Sequence, residues 1–120
     1  MTQPIVHITH RDDWTIALSS GEYCPGSLSK EGFIHCSKPG QVVRVAETFY
    51  VGQHGLVLLV IDPERLQAEL RWELGANKPD EIFPHIYGSL NKDAVIQVLD
   101  FNTGPDGYNI FPIINPREKK

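Results

Sequence analysis

Apolar side chains recur along this chain with two different spacings, one typical of strands and one typical of helices. Alternation of period two, or a short continuously apolar run, predicts a β-strand, because successive side chains of a strand point to opposite faces. In the segment 70–74, alternation places Leu70, Trp72 and Leu74 inward. Six segments in all are predicted to be strands: 5–9, 33–37, 56–61, 70–74, 83–87 and 94–101.

Two further segments have helical spacing. The first begins at the acidic pair Asp12 and Asp13 and is expected to end at Gly21. The second carries an apolar stripe over residues 42–49. Residues 21–32 are rich in Gly, Ser and Pro, which predicts a loop that packs down beside a pocket.

The balance of six predicted strands against two helices indicates an α+β fold with a bent, mixed or mainly antiparallel sheet. A doubly wound parallel sheet would need a helix after nearly every strand, and the segments between the later strands are too short for that. A length of 120 residues with 41% hydrophobic content suits one domain, 1–120. The charged tail, 115–120, is expected to fray.

Three of the predicted strands repeat one pattern, in which an apolar residue is followed two positions later by a histidine and four positions later by a hydroxyl. Period-two positions share a face of a strand, so each histidine points the same way as its hydroxyl partner. Burying an imidazole without a hydrogen bond is costly, and the pattern therefore predicts one shared cleft for binding or reaction. The pairs are His7 with Thr9, His35 with Ser37, and His85 with Tyr87.

His35 is the strongest candidate, because a strand that ends in His-Cys-Ser before a helix also presents backbone N–H groups to an anion. Lys38 and Arg44 follow it and would add positive charge. His85 and Tyr87 are predicted to orient or protonate a reacting group, since imidazole and phenol both donate and accept hydrogen bonds. Pro84 cannot donate to a ladder, which predicts an edge strand or a bulge.

Each assignment has a structural alternative. His35 has the alternative of a core histidine bonded to a backbone carbonyl, and Tyr87 that of a half-buried aromatic residue. His7 is either a ligand contact or a structural polar residue of the first strand. Glu73 either holds a ribose hydroxyl or lies with Arg71 on a solvent-exposed face.

Composition narrows the function classes. A formal net charge of -4 argues against a broad nucleic-acid surface, whereas a small nucleotide needs only a few local cations. The sequence shows neither a secretion signal nor an apolar run that could span a bilayer, which predicts a cytoplasmic protein with no membrane contact. The two cysteines, Cys24 and Cys36, are then expected to be thiols.

Two other chemistries are disfavoured. A Cys36 nucleophile would need an imidazole from another strand, because adjacent His35 points to the opposite face. A zinc site would use His7, His35 and His85, but these lack the short-range spacing of typical ligand sets, so no metal is expected.

The chain resembles the small bacterial family called domain of unknown function 952 over about residues 5–98. The resemblance is carried by the segments 6–9, 32–37, 58–62, 72–73 and 83–88, of which Phe-Ile-His-Cys-Ser and Pro-His-Ile-Tyr-Gly are the most specific. The family has been suggested to be a remote relative of ADP-ribosyltransferases, whose split sheet binds NAD. This implies NAD contacts for His7 and His35. His85 or Tyr87 would stand in place of the usual late-strand glutamate, as in the histidine-rich RNA 2′-phosphotransferase branch.

Motifs and resemblance together predict a cytoplasmic enzyme-like domain that binds NAD or another nucleotide and catalyses a glycosyl or phosphate-linked transfer. The alternative is a non-catalytic module that binds a small molecule or a protein.

Overall fold

The computed structural model describes residues 3–75 and 80–101, together with the backbone of 103–104 and 107–108. Within these ranges the elements, in chain order, are β1 (Ile5–His10), α1 (Arg11–Ser20), β2 (Glu22–Tyr23), α2 (Gly26–Glu31), β3 (Ile34–His35), α3 (Val42–Phe49), β4 (Leu56–Ile61), β5 (Glu69–Leu74), β6 (Ile82–Tyr87), β7 (Leu90–Asn91), β8 (Val95–Asp100), β9 (Thr103–Gly104) and β10 (Gly107–Tyr108). Short 3₁₀ helices occur at Pro63–Arg65 and Lys92–Ala94.

The strands form small sheets in which every pairing is antiparallel. One three-stranded sheet has the order β1-β4-β8, and a second has the order β3-β6-β5. Two-stranded pairs join β2 to β7 and β9 to β10. The predicted α+β fold is confirmed, with the strands divided among several sheets.

The strand β4 lies at the centre of the core, as its unbroken run of apolar residues predicts. All six of its residues are buried. Leu58 and Val60 belong to a cluster with Val42 and Ala46 of α3. Alternate residues of β4 pack on the other side, in a cluster that also contains Trp14, Tyr23, Ile34, Cys36, Ile86 and Leu90.

The two predicted helices are present as α1 and α3. The first ends at Gly21, whose φ of 96° is a left-handed conformation that glycine adopts without steric cost. The second places Val42 and Ala46 in the core. Among the described residues no helix has the length and apolar character needed to cross a membrane.

Some local predictions were wrong. Residues 21–32 contain a short strand and a helical turn, β2 and α2, where a loop was expected. Tyr23 is the reason for the strand, because its ring is buried against the core. The segment 33–37 forms a ladder with β6 over two residues only, and then Ser37 bridges to Val6 of β1. The tail 115–120 lies outside the described residues.

The strand β6 is central in its sheet, so the edge position predicted from Pro84 was wrong. The proline is tolerated because the ladder with β3 ends at His35, just before the residue opposite Pro84. Trp72 and Leu74 were also misplaced: they are 48% and 61% exposed. The inner half of the β5–β6 hairpin packs on the core through Leu70, and the outer half extends beyond it.

Candidate functional site

Six side chains of β3, β5, β6 and the residue before β3 meet on one side of the second sheet, and we call this group the polar face. Strand register explains the arrangement, since His85 lies opposite His35 on one side and opposite Arg71 on the other. Residues two positions away on each strand share the same face. The polar face consists of Phe33, His35, Arg71, Glu73, His85 and Tyr87.

Glu73 is the hydrogen-bond acceptor at the centre of the polar face. His85 donates from Nδ1 to Oε1 of Glu73 at 2.8 Å, and the Tyr87 hydroxyl donates to the same oxygen at 2.6 Å. The hydrogen bond from Tyr87, followed by that from His85, holds the pKa of Glu73 below its usual value. The carboxylate correspondingly raises the pKa of Tyr87. Glu73 is therefore an ionised carboxylate that orients the imidazole of His85.

Phe33 covers the histidine. Its ring stacks on His85 with centroids 4.2 Å apart and planes inclined by 21°. The centroid of the Phe33 ring also lies 4.7 Å from the centroid of the His35 ring and 5.2 Å from that of the Tyr87 ring. Such contacts favour one orientation of each ring. The polar face thus has an aromatic floor.

Charge on the polar face is mixed. The Arg71 guanidinium lies 4.3 Å from the centroid of the Tyr87 ring and bonds to Glu69 at 2.9 and 3.2 Å. The carboxylate of Glu69 raises the pKa of Arg71, so the cation persists at all ordinary pH values. His35 is exposed and pairs with Glu31. The polar face therefore has one strong cation and several carboxylates in or beside it.

His7 does not join the other two histidines, so the prediction of one cleft for three imidazoles was wrong. Its ring is 7% exposed, and Nε2 lies 2.8 Å from the Tyr23 hydroxyl. The Tyr23 oxygen in turn lies 2.8 Å from Oγ1 of Thr9. Nδ1 of His7 bonds to the backbone carbonyl of His35 at 2.5 Å. His7 and Thr9 do share a face, as alternation predicted, but this face points into the protein.

The remaining predicted residues lie apart from the polar face. Ser37 is buried and exchanges backbone hydrogen bonds with Val6. Lys38 is exposed, and its backbone N–H donates to Gln41. Arg44 forms two hydrogen bonds to Glu81, at 2.7 and 3.0 Å. None of these three contacts the polar face within the described part of the chain.

Cys36 lies in the core, and burial raises the pKa of its thiol well above the ordinary value. This environment keeps the sulfur protonated and unreactive. In the described residues, no three side chains of His, Cys, Asp or Glu are grouped as a metal ion requires.

Phe33 and Arg71 of the polar face, and Tyr23, which bonds to His7, were not predicted as functional residues from the sequence. For the first two a signal existed, because Phe33 precedes His35 by two positions and Arg71 precedes Glu73 by two, and period-two neighbours share a face. Tyr23 gave no such signal, since it lies in a segment without a clear pattern.

A surface cavity of about 370 Å³ lies elsewhere, between α1 and residues 22–26. Its lining includes Asp13, Ser20 and Tyr23 and shares no residue with the polar face. The paired chemical groups, and not this hollow, identify the candidate site, because an imidazole held by a carboxylate is a recurrent arrangement for proton transfer.

Comparison with solved structures supports the fold. The chain is 30% identical to protein CC0527 from Caulobacter crescentus in a crystal structure, with a TM-score of 0.80 and coverage of 90% of this chain and 95% of that chain. A solution NMR structure of the same protein gives a TM-score of 0.76 at 30% identity, covering 89% and 91%. A search of the curated proteins found no match.

A family model described as "Protein of unknown function (DUF952)" matches residues 8–98, which include the end of β1, the polar face and most of β8. The chain belongs to this family.

Proposed function

We propose that the polar face binds a nucleotide, with NAD as the first candidate, and that His85 acts there as a general base in a glycosyl or phosphate-linked transfer. The observation that carries the proposal is the Glu73–His85 pair, in which the carboxylate holds one imidazole nitrogen and leaves the other for a substrate.

Proton accounting supports this role for His85. A carboxylate of lowered pKa is an acceptor, so Nδ1 of His85 carries the proton. In the neutral ring Nε2 then has a free lone pair. No described residue bonds to Nε2, and no buried side-chain nitrogen or oxygen of the described chain lacks a partner, so this atom meets solvent. A hydroxyl placed there would give up its proton to Nε2.

With NAD as the substrate, the proposed transfer exchanges one bond at C1′ of the ribose for another. The oxygen of an acceptor hydroxyl bonds to C1′ of the ribose while the bond from C1′ to the nicotinamide nitrogen breaks. The nicotinamide leaves as a neutral ring with the electron pair of that bond. The hydroxyl proton passes to Nε2 of His85, and Glu73 stabilises the imidazolium that forms.

Ligand binding would use the aromatic floor and the adjacent cation. Phe33 offers a ring for stacking, an interaction that accepts any flat heterocycle. Arg71, which lies over the Tyr87 ring, belongs to the same face and suits a phosphate oxygen, in competition with Glu69. The resemblance to ADP-ribosyltransferases is the reason to test NAD first.

One observation favours the second candidate, a binding module without turnover. The side chain of His85 is only 8% exposed, and Phe33 covers one ring face. Such a ring would reach a substrate only over a narrow angle.

Calorimetric titration with NAD, ADP-ribose and AMP tests binding, and mass spectrometry after long incubation tests turnover. We expect binding to wild type, weaker binding to Phe33→Leu, and binding without product for Glu73→Gln. His54→Gln, at an exposed turn, is the control and should match wild type. Binding without product in wild type would support the module, whereas no heat with any ligand would contradict both proposals.

A further inference from the structure

We propose that His7 is a positioning residue for the polar face. It lies in the protein interior and holds the backbone carbonyl of His35 at the point where the two three-stranded sheets separate. The inference rests on the proposed function for its relevance to a ligand, but its geometry stands independently. His7 thereby acts through β3 and not by touching the ligand, in contrast to the role that the family resemblance implies.

The hydrogen-bond pattern of β3 shows why the backbone carbonyl of His35 needs a donor from outside the ladder. The Cys36 N–H donates to the Pro84 carbonyl at 3.1 Å. Antiparallel ladders alternate between bonded and non-bonded pairs, so the preceding pair, His35 and His85, is non-hydrogen-bonded. In such a pair the backbone N–H and C=O groups point away from the partner strand. The His35 carbonyl therefore has no acceptor role in the ladder with β6.

The chain changes sheets immediately after this point. Ser37 N–H donates to the Val6 carbonyl at 2.8 Å, and Val6 N–H donates back to the Ser37 carbonyl at 2.9 Å. Residues 34–37 thus run from β6 to β1. The His35 carbonyl lies at this crossing, where the side chain of His7 is the donor that satisfies it. An unsatisfied carbonyl here would destabilise the crossing.

The protonation of His7 follows from its partners. A carbonyl only accepts, so Nδ1 of His7 carries the proton and Nε2 must accept. Tyr23 is the donor to Nε2, and its single hydroxyl proton is then used, so the hydroxyl of Thr9 donates to the Tyr23 oxygen. Burial lowers the pKa of His7 to about 4, which keeps the ring neutral. Each of the three protons in this chain of hydrogen bonds therefore has one acceptor.

The consequence for the polar face is direct. Side chains of a non-hydrogen-bonded pair lie closest together, and the rings of His35 and His85 are 5.6 Å apart. Phe33, two residues before His35, stacks on His85. The ladder of β3 is only two residues long, so it holds this segment weakly on its own. The hydrogen bond from His7 attaches this segment at a third point, in addition to the ladder with β6 and the bridge between Ser37 and Val6.

NMR spectroscopy of three variants tests the proposal without any ligand. An asparagine amide can replace the Nδ1–H donor, whereas leucine cannot. We expect His7→Leu to change the ¹³C shift of the His35 carbonyl and to weaken the nuclear Overhauser effects between Phe33 and His85. His7→Asn should restore both. Contacts between β1 and β4 should persist in each variant as evidence of an intact sheet.

If His7→Leu does not fold, Tyr23→Phe provides the test, because it keeps the His7 ring but removes the donor to Nε2, together with the partner of the Thr9 hydroxyl. We then expect the ¹⁵N shifts of His7 to report a mixture of tautomers and the carbonyl shift of His35 to move. A folded His7→Leu variant with unchanged His35 and Phe33 signals would overturn the proposal. A folded Tyr23→Phe variant would also overturn it if the His7 tautomers mix while the His35 and Phe33 signals stay unchanged.

The proposed function is tested separately, by the affinity for NAD. We expect His7→Leu to weaken NAD binding about tenfold, because losing the hydrogen bond to the His35 carbonyl displaces the polar face, and His7→Asn to recover it. Failure of wild type to bind NAD would contradict the proposed function and leave the NMR result intact. Unchanged affinity in a folded His7→Leu variant would contradict the positioning role.

Discussion

Glu73 and His85 lie on adjacent antiparallel strands with Oε1 and Nδ1 2.8 Å apart, although they are not opposite each other in the register. Glu73 is opposite Phe83, so its side chain reaches diagonally across the hairpin to the next residue on the same face. This diagonal contact also brings the carboxylate to Tyr87. One acidic residue thereby fixes both polar side chains of β6.

The tautomer of His85 is the first measurable consequence. In wild type the proton should reside on Nδ1, because Glu73 accepts it. We expect Glu73→Ala to shift the neutral ring toward the Nε2–H tautomer that is usual in water. Long-range ¹H–¹⁵N correlation spectra distinguish the two forms. The matched control is Glu69→Ala, which removes a carboxylate of the same strand that bonds to Arg71. An unchanged His85 tautomer in Glu73→Ala would show that the carboxylate does not orient the ring.

His7 should make the stability depend on pH. Its pKa is about 4 in the folded protein, against an ordinary value of 6.5, so the unfolded chain binds more protons between these pH values. Stability therefore falls as pH is lowered through this window. The loss amounts to about 3 kcal/mol by pH 4. Urea unfolding at several pH values measures it. His7→Asn should lose this part of the pH dependence, and His54→Asn should retain it.

The two cysteines should differ in reactivity. Cys24 is exposed, whereas Cys36 is buried with a raised pKa. We expect a maleimide to label the folded protein once and the urea-unfolded protein twice, as counted by mass spectrometry. Cys24→Ser should abolish labelling of the folded state, and rapid labelling of that variant would mean that Cys36 is accessible.

Core and hairpin positions should respond differently to truncation. Leu58 is fully buried, so Leu58→Ala should lower the free energy of unfolding by about 2–5 kcal/mol. Trp72 is half exposed on the outer part of the hairpin, and Trp72→Ala should cost about 1 kcal/mol or less. Denaturant unfolding compares the two. A large loss for Trp72→Ala would indicate that another surface covers this side chain.

Much of the fold was predictable from local pattern. The continuous apolar run of β4 predicted a buried strand, and helical spacing with a terminal glycine predicted α1. Alternation also predicted that His85 shares a face with Tyr87, and their common bond to Glu73 confirms it. These features depend on the geometry of a single element, which the sequence specifies through its period.

Contacts between different elements could not be predicted as well from the sequence. Trp72 was predicted to be inward because alternation gives a face but not the extent of the neighbouring core. Pro84 was predicted to lie on an edge strand or at a bulge because the sequence does not reveal that the ladder with β3 ends beside it.

By itself, the sequence determined the α+β class, the main strands and which polar residues share a strand face. Only the tertiary structure decided that His7 points inward to the His35 carbonyl, a contact across 28 positions, and that Glu73 joins His85. The physical reason is that alternation assigns a side chain to one of two faces. Which of those faces is covered depends on the packing of distant segments, and no local pattern records that packing.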